Sequence, residues 1–281
     1  MRELRPVGIA YLDVVTDLLQ RQRLADPDTG LWEAADLQWW YTRDPHPTDD
    51  DAAFWLDDGV PVGGAVFTRW SPSRYGCAVL GDGSFEPAWE FVRARCAVLT
   101  GVVIEMAVAP EDDGTQSNAE RAGFAEVAET YDITWLDAAD RPALRELPSG
   151  YRLVPRTEQR GPHPMIKRNG DYVEERLRQC SLYDPALDLA VVAPDGQIAG
   201  YAMFWPDAHT EVGLVEPMRV EDTHGGRGIG GALLRSGLDR LADRGCTRLK
   251  VSHDVQNEPA RRLYLGAGFR PQTRVPILLR R

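Results

Sequence analysis

Four glycines in six residues, Gly226, Gly228, Gly230 and Gly231, follow a short polar loop and lead into an apolar-periodic stretch. Glycine carries no Cβ, so several backbone N–H groups can converge on one anion. A helix opening there adds unbonded N–H donors and the positive end of its dipole. Arg227 adds a forked donor at the rim. The chemistry on offer is the holding of phosphate or pyrophosphate. The bland alternative is a glycine-rich helix start that binds nothing, although so many glycines weaken a helix and call for a reason. The Walker pattern is absent, because no Gly-Lys-Ser/Thr follows. Gly226, Gly228 and Gly231 match the dinucleotide spacing GxGxxG, with Asp254 placed 28 residues after Gly226. Only 27 residues remain beyond Asp254, too few for the further strand–helix units of a doubly wound fold.

The elements around the turn follow from local pattern. Leu187–Ala193 and Gln197–Trp205 read as a hairpin about a Pro-Asp-Gly turn, and Gly213–Val220 as a further strand. Gly228–Arg244 places Ile229, Leu233, Leu234, Leu238 and Leu241 on one helical face, closed by Gly245. Arg248–Ser252 is a strand. Asn257 is an N-cap, Pro259 lies in the first turn, and the helix runs through Leu265 to stop at Gly266. Strand, strand, strand, helix, strand, helix, strand predicts an α/β layer arrangement on a mixed sheet. Pro217 sits inside the strand that precedes the glycines. Proline donates nothing to a ladder, so it marks a bulge or an edge.

GGRGIGGALL followed by NEPARRLYLGAGF resembles the acetyl-CoA-binding core of the GNAT acetyltransferase superfamily. The first segment is similar to its pyrophosphate turn, (Gln/Arg)-x-x-Gly-x-(Gly/Ala), and the second to its Asn…Ala…Tyr…Gly-Phe signature. The resemblance covers roughly Leu214–Phe269. Gly225 stands where the family has Gln or Arg, which removes one side-chain contribution that Arg227 can replace. The resemblance implies acetyl-CoA as cosubstrate, held by Met218, Val220, Gly225, Gly226, Arg227, Gly228, Ile229, Gly230, Gly231, Asn257, Ala260 and Tyr264. It implies direct attack of an amine on the thioester, with a base to take a proton and an acid to protonate the departing thiolate. Tyr264 is the candidate acid; its alternative is a core tyrosine. Glu216, charged among Leu214, Val215, Pro217 and Met218, is the candidate base; its alternative is a solvated strand residue paired with Arg219. Glu211 is the reserve. Asn257 either bonds the cofactor arm or simply caps its helix. His224 and His253 flank the site and read as bystanders.

A weak internal repeat runs along the 281 residues. Asp58-Gly59 and Asp195-Gly196 head similar strands 137 apart, Gly123-Phe124 and Gly268-Phe269 lie 145 apart, and Leu4 and Leu153 open the halves 149 apart. The drift predicts two tandem domains of the GNAT-like type, 1–147 and 148–281, divided in the polar stretch Asp137–Gly150. The first half lacks a glycine-rich turn before its helix at Glu86. It resembles a degenerate copy that completes an acceptor cleft and does not hold the cofactor. Trp39, Trp40, Tyr41 and Trp70 line that cleft or, more simply, fill a core or an interface between the halves.

Composition bounds the remaining choices. Acidic residues outnumber basic ones 43 to 32, for a net charge of −11, which argues against a nucleic-acid surface. No apolar run approaches the roughly eighteen residues of a membrane helix, and the N-terminus has no signal-like core. Cys77, Cys96, Cys180 and Cys246 form no CxxC pair, and the five histidines show no metal-ligand spacing. The expectation is a cytoplasmic acetyltransferase without a metal, monomeric or homodimeric. Its acceptor is a primary amine of a small molecule or peptide. The alternative is a non-catalytic acyl-CoA sensor of the same fold, and another acyl donor or a thiol-conjugate acceptor also fits.

Overall fold

The computed structural model describes every residue except Pro45, and every side chain besides those of Pro45 and Glu126. The elements run β1 (Arg2–Leu4), α1 (Ile9–Ala25), α2 (Ala34–Arg43), β2 (Ala52–Asp57), β3 (Val60–Ser71), β4 (Arg74–Leu80), α3 (Glu86–Val98), β5 (Val103–Ala107), α4 (Asp113–Arg121) and β6 (Glu126–Asp137). The second half continues with β7 (Arg152–Pro155), α5 (Ile166–Asn169), α6 (Val173–Gln179), β8 (Asp188–Val192), β9 (Ile198–Asp207), β10 (Val212–Val220), α7 (Ile229–Asp243), β11 (Arg248–Asp254), α8 (Glu258–Gly266) and β12 (Arg270–Arg280).

The chain forms two compact units, Met1–Tyr131 with Thr273–Arg281, and Asp132–Gln272. The chain crosses from the first to the second within β6, upstream of the polar stretch at 137–150, and its last nine residues return to the first unit. Each unit has the same strand order. In the first it is β1-β2-β3-β4-β5-β12, and in the second β7-β8-β9-β10-β11-β6. The sixth strand of each thus comes from the other half of the sequence. Ile277 pairs with Ala107 in the first unit, and Thr134 Oγ1 bonds the Val251 carbonyl at 2.9 Å in the second. The repeat positions match in conformation as well. Gly123 and Gly268 both have positive φ, and the phenylalanines that follow them are buried.

In the second unit α7 lies on the sheet with Ile229, Leu233, Leu234, Leu238 and Leu241 buried among β8–β11 residues. Each such side chain contributes about 1.5–3 kcal/mol of burial. Gly237 lets α7 approach closely, since a Cβ there would lie 2.0 Å from the Phe204 ring. The helix ends at Gly245 (φ +86), where the Cys246 N–H bonds the Leu241 carbonyl. In the first unit α3 takes the matching place, with Trp89, Val92 and Cys96 buried against β2–β5. Trp39 and Tyr41 are core residues of this unit, and Trp40 lies between Trp32 and Trp70 at 4.7 and 4.9 Å. Those aromatics therefore build the first unit. Among the described residues no helix is long and apolar enough to cross a membrane.

Candidate active site

Strands β10 and β11 are the frame of the site. They pair in parallel only at Val212–Arg248, Gly213–Leu249 and Leu214–Lys250. On its other edge β10 pairs with β9 throughout, with a register shift between Val215 and Met218. The shift contains Pro217, which has no N–H to give, and the Trp205 indole takes the Glu216 carbonyl at 2.5 Å. Beyond Leu214 the facing edges of β10 and β11 carry no ladder, and a gap opens between them toward their C-terminal ends. Proline inside the strand was the local signal for it.

At the end of β10 the chain turns through Asp222–His224. There the Tyr151 hydroxyl holds His224 Nδ1 at 3.0 Å. The Gly225 N–H is bonded to the Asp222 carbonyl at 3.1 Å, so Gly225 has no backbone donor to give a ligand. The next bonded N–H is that of Ala232, which closes the first turn of α7 on the Gly228 carbonyl. Among the described residues, the N–H groups of Gly226, Arg227, Gly228, Ile229, Gly230 and Gly231 have no acceptor. Gly226 (φ +72) and Gly228 (φ +81) adopt left-handed backbone that L side chains resist. Six consecutive bare donors at the N-terminus of a fifteen-residue helix are the arrangement that can hold an anion.

Sequence reasoning missed one cation. The Arg145 guanidinium lies over the turn, 3.1 Å from where a Gly228 Cβ would stand and 3.5 Å from one at Gly231. Neither Arg145 nor Arg227 has an ion-pair partner among the described residues. Arg145 lies far upstream in an irregular segment, so no spacing pattern links it to the glycines. Its place over the turn answers the charge lacking at Gly225.

Glu216 lies close enough to Tyr264 to act on it electrostatically. Tyr264 is buried on α8. Burial first, then the nearby Glu216 carboxylate, pushes its hydroxyl pKa well above the ordinary tyrosine value. Its hydroxyl donates to no described residue. The His253 ring stacks on it at 5.8 Å and 27°. His253 is buried, its Nδ1 lies 3.1 Å from the Asp254 carbonyl, and its Nε2 has no partner. Arg219 pairs with Glu221 at 3.5 Å. Glu211 lies before β10, at the end remote from the glycines, and accepts from Thr247 at 3.1 Å. Asn257 is the N-cap of α8, its Oδ1 accepting the Ala260 N–H at 3.2 Å. Met218 and Val220 edge the turn, within 3.8 and 3.4 Å of a Cβ placed at Gly230.

The model of the acetyltransferase (GNAT) family matches residues 150–269. A mycothiol acetyltransferase of Clavibacter michiganensis is 29% identical over 242 residues, covering 76% of this chain and 74% of the relative. A GCN5-related N-acetyltransferase from Sphaerobacter thermophilus superposes over 99% of this chain and 95% of its own, with TM-score 0.63 and 18% identity. A tandem GNAT protein from the clavulanic acid biosynthesis pathway covers 99% and 97%, with TM-score 0.66 and 14% identity. The bare donors and two free guanidinium groups fit the pyrophosphate of acetyl-CoA, the acetyl donor of the family. Residues 150–269 match the acetyltransferase (GNAT) family, and the comparisons support an N-acetyltransferase enzyme with acetyl-CoA as its acetyl donor, on a fold shared with tandem proteins of that kind.

Proposed function

We propose that the second unit transfers the acetyl group of acetyl-CoA to a primary amine of a small molecule or peptide. The observation that carries this reading is the run of unbonded N–H groups from Gly226 to Gly231 beside the gap between β10 and β11. Gly226–Gly231, with Arg145 and Arg227, hold the pyrophosphate. Met218 and Val220 flank the pantetheine arm, and Asn257 reaches it with the amide nitrogen that its capping bond leaves free. The first unit acts as scaffold. The name of the Clavibacter relative makes a small amine of the mycothiol class the first acceptor to assay.

The step forms a C–N bond and breaks the C–S bond. The amine nitrogen adds to the thioester carbonyl and loses a proton to Glu216, directly or through a water. The departing sulfur takes the Tyr264 hydroxyl proton. A buried phenol with a raised pKa is protonated throughout the neutral range, as an acid must be before it acts. Tyr264→Phe removes that proton and little else. It should lower kcat by roughly a hundredfold while acetyl-CoA binds as before. Unchanged turnover would remove Tyr264 from the mechanism.

A further inference from the structure

The bulge of β10 is held by a side chain that the reaction itself does not call for. Val215 pairs with Phe204 and Met218 with Ala202, so Glu216 and Pro217 together stand opposite the single residue Met203 of β9. Pro217 has no N–H to give. The Glu216 carbonyl accepts from a side chain, the Trp205 indole, at 2.5 Å. Trp205 is 1% exposed, and its indole nitrogen is a donor only, so it needs a fixed acceptor inside the protein. One bond thus gives a buried donor its partner and gives a carbonyl at the bulge a substitute for the ladder. The last rung between β10 and β11 is Leu214–Lys250, two residues before Glu216. The clamp sits where the two strands part.

A buried polar group stands behind the clamp, on the same line across the sheet. Met203, opposite the bulge, pairs on its other side with Asp188 of β8. Asp188 is 2% exposed, and its Oδ2 accepts from the Tyr183 hydroxyl at 2.8 Å and from His163 Nε2 at 2.7 Å. His163 Nδ1 accepts the Met165 N–H at 3.2 Å, so the imidazole proton is on Nε2 and both ring nitrogens are engaged. The Tyr183 ring lies against that of Trp205, with centroids 6.1 Å apart and planes at 59°. Apolar side chains would fill this space without burying a carboxylate. A bonded network of this kind specifies one rigid arrangement. It fixes Tyr183, Tyr183 fixes the Trp205 ring, and Trp205 fixes the bulge.

We propose that Trp205 is a positioning residue for acetyl transfer: its bond to the Glu216 carbonyl holds the bulge where β10 stays parted from β11, and so keeps the gap open to the thioester-bearing arm of acetyl-CoA. The same bond fixes the backbone that carries the Glu216 carboxylate. Trp205 acts through the Glu216 main chain, and this role rests on acetyl-CoA lying in the gap, as in the proposed function.

The test removes the indole N–H and keeps an aromatic ring. Full-length Trp205→Phe is titrated by calorimetry with acetyl-CoA and, separately, with adenosine 3′,5′-bisphosphate, and circular dichroism checks its fold. The second ligand comes from the nucleotide end of coenzyme A and has no arm, so it reads the glycine-rich turn without the gap. The expected result is acetyl-CoA bound roughly tenfold or more weakly, with the nucleotide within about twofold of wild type. Tyr183→Phe, which releases the ring behind Trp205, should act in the same sense, and it carries the test alone if Trp205→Phe does not fold. Unchanged acetyl-CoA affinity in the folded variant, or an equal loss for both ligands, would overturn the role while leaving the acetyl-CoA site in place. A wild-type protein that binds neither ligand would remove the acetyl-CoA reading itself, and this role with it.

Discussion

Gly231→Glu separates the fold from the anion site, because the change should strengthen one and abolish the other. Gly231 lies in the first turn of α7 with ordinary helical backbone, and its substituted Cβ would meet only the Arg145 side chain, at 3.5 Å. Removing a glycine from a helix gains about 1 kcal/mol, and an acid in the first turn adds roughly 0.3–1 kcal/mol against the dipole. Together these raise the melting temperature by a few degrees, about 2–4 °C per kcal/mol for a chain of this size. The same carboxylate projects among the bare donors. At about 5 Å from a phosphate oxygen, with an effective dielectric of roughly 20–40, the repulsion is about 2–3 kcal/mol. That weakens acetyl-CoA by roughly twentyfold to two-hundredfold. An ion pair with Arg145 would deepen the loss by drawing that cation away. Calorimetry with acetyl-CoA and a thermal melt on the same sample read both effects. An affinity within threefold of wild type, in a protein that melts higher, would refute the assignment of the turn to the pyrophosphate.

Arg145→Ala should weaken acetyl-CoA about tenfold through loss of a charge-assisted contact, with kcat at saturating donor unchanged; a fall in kcat alone would point to a different role. Glu216→Gln should remove the acidic limb of the pH–rate profile, and a limb that survives would exclude Glu216 as the base. Burial raises the pKa of Tyr183, Tyr201 and Tyr264. Their contribution to stability is complete below the unfolded tyrosine value near 10 and is lost as pH rises through the folded values. Denaturant midpoints should therefore hold to about pH 10 and fall above it, and a flat profile to pH 11.5 would contradict their burial.

Short-range features were legible in the sequence. The N-cap at Asn257, the glycine stop at Gly245, the apolar face of α7 and the bulge at Pro217 are set by neighbours within a few residues. The glycine-rich turn belongs to the same class, because bare donors follow from backbone that only glycine adopts easily. Long-range features escaped. The exchange of β6 and β12 between units leaves no mark in the periodicity of either strand. For that reason the unit boundary falls in β6 and not in the proline-containing stretch after it. Arg145 sits over the glycines through tertiary packing alone. Helices α5 and α6, of four and seven residues, are too short to show a period.

In the proposed binding mode, acetyl-CoA is held by the backbone of Gly226–Gly231. Selective ¹⁵N-glycine labelling reports on that backbone directly. At saturating acetyl-CoA the amide signals of Gly226, Gly228, Gly230 and Gly231 should shift together, while those of Gly81, Gly83 and Gly114 in the first unit stay in place. Shifts confined to Gly81, Gly83 and Gly114, or no shift in the second-unit glycines at saturation, would contradict it.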